Sequence, residues 1–148
     1  MIITNTIEIR ASAAKVFFWL EDPERAMKWM VSVSKSEIVE EKPGHVGTAF
    51  REYVEEDGRG LEMRGVITAW EENSRLAFRL ESDFNTTEVE FTLHEENGLT
   101  RLVQKADMQF KGALKILGIF IAPALVKKIK SQAEGEFAEL KRLCESES

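Results

Sequence analysis

The hydrophobic and polar positions of the chain change from a strand period to a helix period. Apolar and polar residues alternate over residues 3–9, as in a strand that buries one face. Between residues 34 and 110, short segments rich in Val, Ile, Phe, Thr and Trp are separated by turn signals such as Asn97-Gly98. These segments predict an antiparallel meander, which gives about seven strands in all.

Two short helices are predicted between the first strand and the meander. The side chains of Ser12 and Asp22 are suited to helix N-caps, and Pro23 is tolerated at a first helical position. Apolar residues follow each cap: Val16, Phe17, Trp19 and Leu20 after the first, and Ala26, Met27, Trp29 and Met30 after the second.

From Ala113 onward the period is helical, which predicts a long amphipathic C-terminal helix. Its apolar stripe consists of Leu125, Ile129, Ala133, Phe137, Leu140 and Cys144. Because Pro123 lacks an amide proton, we expect the helix to kink or restart there.

In the predicted strand around Gly65, the bulky apolar residues change from odd-numbered to even-numbered positions. Leu61 and Met63 point to one side, whereas Val66 and Trp70 share the opposite parity. We therefore expect a bulge or a sharp bend at Gly65.

The composition is that of an ordinary folded domain. The 148 residues are 43% hydrophobic and 31% charged, without repeats or linkers, and predict one domain over residues 1–148. The net charge is −6, and the 20 Lys and Arg are scattered among 26 acidic residues. We therefore expect no binding to nucleic acid, which requires clustered cations.

We expect neither export nor membrane insertion of this chain. The N-terminus has no basic start and no long apolar run, so we expect no signal peptide and a cytoplasmic location. The longest apolar stretch, Ile116 to Val126, is shorter than the roughly 20 residues of a spanning helix, so we expect no transmembrane segment. Cys144 is the only cysteine and can form no internal disulfide.

Several short segments carry a family resemblance. They are Ile7–Phe17, Leu20–Pro23, Trp29, Gly47, Val66, Thr100–Leu102 and Leu140-Lys141. Together they resemble the START-like, Bet v 1-like superfamily, and within it the branch of polyketide cyclases, dehydrases and lipid transport proteins. The resemblance implies an α+β helix-grip fold in β-α-α-β6-α order. In that fold a curved antiparallel sheet wraps a long C-terminal helix around an internal apolar cavity.

The superfamily uses this scaffold for lipid binding, hormone binding, aromatic cyclisation and chaperone assistance, so the fold alone selects no function. Our first hypothesis is the non-catalytic binding or carriage of a small lipophilic or aromatic molecule in the cavity. The alternatives are an enzyme similar to polyketide cyclases and dehydratases, and a protein-interaction or co-chaperone-like module.

The predicted cavity lining is aromatic and aliphatic, with one amide. Gln104 lies between Leu102 and Ala106 on the apolar face, so its amide either orients a ligand or bonds to a neighbouring group or water. The methionines suit a pliant pocket. The predicted lining residues are Trp29, Phe50, Met63, Phe78, Phe91, Gln104, Met108, Leu117, Phe120 and Ile121.

Few residues are suited to catalysis. The chain has two histidines and one cysteine, which are too few for most metal sites and most nucleophilic sites. We therefore expect no metal and no cofactor. Glu52 is the candidate for a catalytic acid or base, because it shares the parity of Phe50 and Val54. In the alternative, Arg51 and Tyr53 point inward and Glu52 lies at the surface.

Three other residues with acid or base chemistry have less support. Asp107, in the last predicted strand, is a second candidate for a carboxyl group that faces the cavity. His45 lies in a predicted turn and is either a solvated loop residue or an acid or base at the cavity rim. His94 shares the polar parity of its strand, so we expect it to be exposed.

The segment from Leu114 to Val126 is too apolar for a helix that packs on one side only. It either covers the cavity as a lid or wall, contacts a membrane surface or a partner transiently, or belongs to the core. The lysines that flank the segment form the charge pattern of an interfacial helix, which keeps the second alternative open beside the lid or wall. The oligomeric state and the identity of the ligand are left open.

Overall fold

The computed structural model of the chain describes residues 1–31, 33–56, 59–112 and 114–146, and the side chains of residues 1–31, 33–55, 60–112 and 123–146. Three helices and seven strands lie in these ranges. In chain order they are β1 (Ile2–Ile9), α1 (Ala13–Glu21), α2 (Pro23–Ala26), β2 (Val33–Glu40), β3 (Ala49–Glu56), β4 (Arg59–Glu71), β5 (Arg75–Glu81), β6 (Asn85–Glu96), β7 (Leu99–Phe110) and α3 (Leu114–Glu145).

The strands form one antiparallel sheet in the order β1-β7-β6-β5-β4-β3-β2. Strands β2 to β7 are a meander, and β1 adds to it by pairing with β7. Asn97 and Gly98 make the tight turn between β6 and β7 with φ angles of 53° and 78°, the positive values that a two-residue hairpin turn requires. The predicted six-strand meander is therefore confirmed.

One face of the sheet is buried against the helices. In β6 the buried positions alternate: Thr87, Val89, Phe91 and Leu93. Phe17 of α1 and Phe137 and Leu140 of α3 belong to the same buried cluster as Ile9 and Leu102 of the sheet. The face of the sheet that carries the apolar side chains therefore packs against α1 and the C-terminal half of α3.

Both predicted N-caps are present, but the second helix is shorter than expected. The Ser12 hydroxyl accepts a hydrogen bond from the Lys15 amide, and the Asp22 carboxylate accepts from the amides of Glu24 and Arg25. Helix α2 is a single turn that ends at Ala26, before Trp29. The chain turns after this helix, and Trp29 lies in the core, where its indole donates to the Trp19 carbonyl over 2.9 Å.

Helix α3 is one continuous element of 32 residues that includes Pro123, so it does not restart there. Ala133, Phe137, Leu140 and Cys144 of the predicted stripe are buried. Burial raises the pKa of the Cys144 thiol to about 12, so it is not a reactive thiolate near neutral pH.

The predicted bulge at Gly65 is wrong by a few residues. Gly65 lies in regular register between Phe50 of β3 and Leu80 of β5, and the register shifts between Ile67 and Ala69. Gly65 has a packing role instead, because the ring of Phe50 lies over its Cα. A Cβ built at this position would lie 2.2 Å from Cζ of Phe50.

Replacing Gly65 with alanine should displace the Phe50 ring and destabilise the protein by about 1–3 kcal/mol, the range of overpacking. Gly60→Ala is a matched control in the same strand, because a Cβ at Gly60 meets nothing within 4 Å. The difference between the two free energies of unfolding, measured in urea, isolates the clash. Equal values for the two variants would contradict the contact between Phe50 and Gly65.

Candidate ligand-binding cavity

A cavity of about 400 Å³ lies between the inner face of the sheet and the helices. Side chains from α1, α2, α3 and strands β2 to β7 border it. The cavity has the size of a small-molecule site. It extends to exposed residues of the β2–β3 loop, Glu41 and His45, which form part of its rim.

Four of the predicted lining residues form a continuous aromatic wall. The ring centroids of Trp29 and Phe91 are 6.4 Å apart, those of Phe91 and Phe78 are 6.2 Å apart, and those of Phe78 and Phe50 are 5.7 Å apart. All four side chains border the cavity. Successive tilted or edge-to-face contacts hold these rings without filling the space beside them.

Gln104 also borders the cavity. It lies on β7 opposite Phe91 of β6 and Asn5 of β1 and is half-buried. No hydrogen bond joins its side-chain amide to another residue within the described ranges, so this amide is available to a ligand or to water.

Other predicted lining residues are not at the cavity. Met63 and Met108 lie on the inner face of the sheet, opposite Glu52 and Thr87 respectively, but they do not border the cavity. The alternation of side chains along the strands predicted the correct face for both methionines, but the cavity occupies only part of that face. The predictions for Leu117, Phe120 and Ile121 fall outside the described side chains.

Several lining residues are absent from the prediction. Trp70 borders the cavity because the register shift between Ile67 and Ala69 reverses the parity of the last part of β4. Glu136 of α3 also borders it. The spacing contained this signal, since Glu136 lies three residues after the buried Ala133 and therefore on the same face of the helix.

Glu52 points into the cavity and is 9% exposed. Burial is the main cause, and the charge of Glu136 the second, of a pKa raised from 4.5 to about 7. The alternative orientation of β3 is wrong. Arg51 lies on the outer face, where its guanidinium is 3.3 Å from Glu37 and 3.2 Å from Glu62.

The other predicted acids and bases lie at the rim or outside. His45 is exposed and stacks on Trp70 with ring centroids 3.8 Å apart, so it is both a solvated loop residue and a rim residue. His94 is exposed, as predicted. Asp107 lies 3.8 Å from the N-terminal amino group and does not border the cavity.

No group of three His, Cys, Asp or Glu side chains within the described residues could hold a metal ion. In the part of the chain that the structure describes, no helix is long and apolar enough to cross a membrane.

The sequence matches the family described as polyketide cyclase / dehydrase and lipid transport over residues 1–145. The chain belongs to this family. The sequence matches no curated protein. Because the family description names both enzymes and lipid transport, membership does not choose between catalysis and carriage.

Solved structures with low sequence identity share the fold. TTHA0849 from Thermus thermophilus has a TM-score of 0.81 at 18% identity, with 97% of each chain covered. The Zhui aromatase/cyclase from Streptomyces sp. R1128 has a TM-score of 0.81 at 16% identity, with 98% of this chain and 93% of that chain covered. A START superfamily protein from Mycobacterium smegmatis has a TM-score of 0.67 at 20% identity, with 90% and 97% covered. The predicted helix-grip fold of the START/Bet v 1 superfamily is confirmed.

Proposed function

We propose that the protein binds a small lipophilic or aromatic molecule in the cavity and carries it without chemical change. The aromatic wall of Trp29, Phe91, Phe78 and Phe50 beside a cavity of about 400 Å³ is the observation that supports this proposal. Apolar sites with a few polar groups are typical of small-molecule binding.

The energetics favour an apolar ligand. Burying about 200 Å² of apolar ligand surface contributes about 5 kcal/mol at 25 cal/mol per Å². Part of this is lost to the entropy of association, so shape and the few polar groups set the affinity. Gln104 is a neutral polar residue of the lining that would orient such a ligand.

A neutral aromatic probe, 1-naphthalenemethanol, tests the proposal by isothermal titration calorimetry. We expect one molecule to bind per chain, with about tenfold weaker binding to Phe78→Ala, which removes part of the wall. The matched control is Phe84→Ala, because Phe84 is 52% exposed and does not border the cavity. Thermal unfolding checks that both variants are folded. Equal affinities of the two variants would place the probe outside the cavity.

One observation favours an enzyme as the second candidate. The Glu52 carboxyl lies in the cavity with a pKa of about 7, and general acid–base catalysis is most effective when the pKa is close to the working pH. Glu52 would then move protons while the cavity folds a reactive poly-β-carbonyl chain. In that case Glu52→Gln should abolish turnover and leave the binding of 1-naphthalenemethanol intact. Unchanged turnover would remove Glu52 from the mechanism.

A further inference from the structure

The ionisable side chains that border the cavity are mostly acidic. Within the described residues, the carboxyl side chains are Glu21, Asp22, Glu41, Glu52 and Glu136. Arg25 and His45 are the basic side chains that accompany them. A cavity of this composition favours a ligand with a positive charge.

The charge of Arg25 is already engaged at the mouth of the cavity. Its guanidinium donates to the Phe18 carbonyl over 2.7 Å and to the Glu21 carboxylate over 3.1 Å, and it lies 4.0 Å from Asp22. The same group stacks on the Phe18 ring at 3.8 Å. Arg25 therefore balances Glu21 and Asp22 and does not extend to the carboxyl deeper in the cavity.

Glu52 is that deeper carboxyl, and it is more than nine-tenths buried. No hydrogen bond or ion pair joins its carboxyl group to any other residue that the structure describes. Its partners on the adjacent strands, Ser36 of β2 and Met63 of β4, are uncharged. From α3 it is approached by Glu136, a second carboxyl. A buried carboxyl with an acidic neighbour is costly when ionised, and a bound cation would offset that cost.

We infer that the ligand of this cavity is a lipophilic amine whose aromatic or aliphatic skeleton lies against the aromatic wall and whose ammonium group lies at Glu52 and Glu136. This inference rests on the proposed function and specifies the class of ligand. The ammonium supplies the donors that Glu52 lacks, and the rings of the wall favour an adjacent cation. A neutral or anionic ligand of the same shape leaves Glu52 without a counterion among the described residues.

The inference predicts a pH dependence. Among the side chains that the structure describes, those that face Glu52 are Glu136 from α3 and the uncharged Ser36 and Met63 from the adjacent strands, whereas Arg51 of its own strand faces outward. With a pKa of about 7, Glu52 is ionised to about a tenth at pH 6 and about nine tenths at pH 8. An alkylammonium group stays mainly protonated at both values. Amine affinity should therefore rise about tenfold from pH 6 to pH 8.

The experiment compares three ligands with one skeleton: 1-naphthylmethylamine, 1-naphthalenemethanol and 1-naphthoic acid. Calorimetry with the full chain at pH 8 should show the amine binding about tenfold tighter than the alcohol, and the acid binding weakest. At pH 6 the amine should lose most of this advantage. The affinity of the alcohol should change little with pH.

Single substitutions identify which carboxyl group causes the preference for the amine. Glu52→Gln should bind the amine no tighter than the alcohol, and Glu136→Gln should lose part of the preference. The matched control is Glu55→Gln, because Glu55 is an exposed carboxyl on the outer face of the same strand, and it should behave like the wild type.

Two failures can be told apart. If the alcohol binds and the amine binds no tighter at pH 8, the inference is overturned while the proposed function stands. If none of the three ligands binds, the proposed function is overturned with it. An amine preference that persists in Glu52→Gln would overturn the assignment to Glu52.

Discussion

Replacing Glu52 with glutamine should stabilise the folded protein by about 3 kcal/mol at pH 8 and have little effect at pH 4. In the folded protein the pKa of Glu52 is about 7, whereas its ordinary value is 4.5. A shift of this size costs about 3 kcal/mol when the carboxyl is ionised, at 1.36 kcal/mol per unit. Glutamine has nearly the same shape and never ionises.

The direction of the pH effect follows from proton binding. Between about pH 4.5 and pH 7 the folded protein holds the Glu52 proton while the unfolded chain has released it. The folded state binds more protons there, so the contribution of Glu52 to the free energy of unfolding falls as the pH rises through this window. Above about pH 8 that contribution is constant.

Urea unfolding of the wild type, Glu52→Gln and Glu55→Gln at pH 4, 6 and 8 measures this effect. The free energy of unfolding of Glu52→Gln minus that of the wild type should increase from pH 4 to pH 8, whereas the difference between Glu55→Gln and the wild type should stay constant. Parallel curves for all three proteins would show that Glu52 is not buried in its ionised form.

A carboxyl that destabilises the fold is expected at a functional site, where stability is exchanged for binding or catalysis. Urea unfolding at pH 8 in the presence of 1-naphthylmethylamine tests whether a bound amine offsets the destabilisation caused by Glu52. If the amine pairs with Glu52, it should stabilise the wild type more than Glu52→Gln, since only the wild type gains a counterion.

Replacing Phe17 with alanine should destabilise the protein by about 3–5 kcal/mol, the usual range for a buried phenylalanine. Phe17 is 1% exposed, and its ring packs edge-on against Trp70 at 5.3 Å. The change removes packing behind a wall residue of the cavity. Thermal and urea unfolding give the loss of stability, and binding of 1-naphthalenemethanol reports whether Trp70 keeps its place.

Phe18→Ala is the matched control, one residue further along the same helix. Phe18 is 44% exposed and contacts Arg25 and Trp19 at the surface, so its removal should cost less than about 1 kcal/mol. Similar losses for the two variants would contradict the placement of α1, in which Phe17 faces the sheet and Phe18 faces outward.

The local rules of the chain determined most of the fold. The alternation over residues 3–9, the Asn97-Gly98 turn and the caps Ser12 and Asp22 each depend on near neighbours in the sequence, and each is present in the structure. The family resemblance then implied how these elements combine. The same alternation left Glu52 open between the cavity and the surface, and the structure places it at the cavity, with β3 in regular register between Phe50 and Val54.

Only the tertiary structure decided the outline of the cavity. The register shift after Ile67 turns Trp70 inward, and no local signal placed that shift correctly. Met63 and Met108 face the interior but lie away from the cavity, since parity defines a face and the distance from the helices defines the space. Glu136 comes to Glu52 from a helix that is distant in sequence. Alternation and capping are local properties of the chain, whereas a cavity exists only where distant elements are held apart.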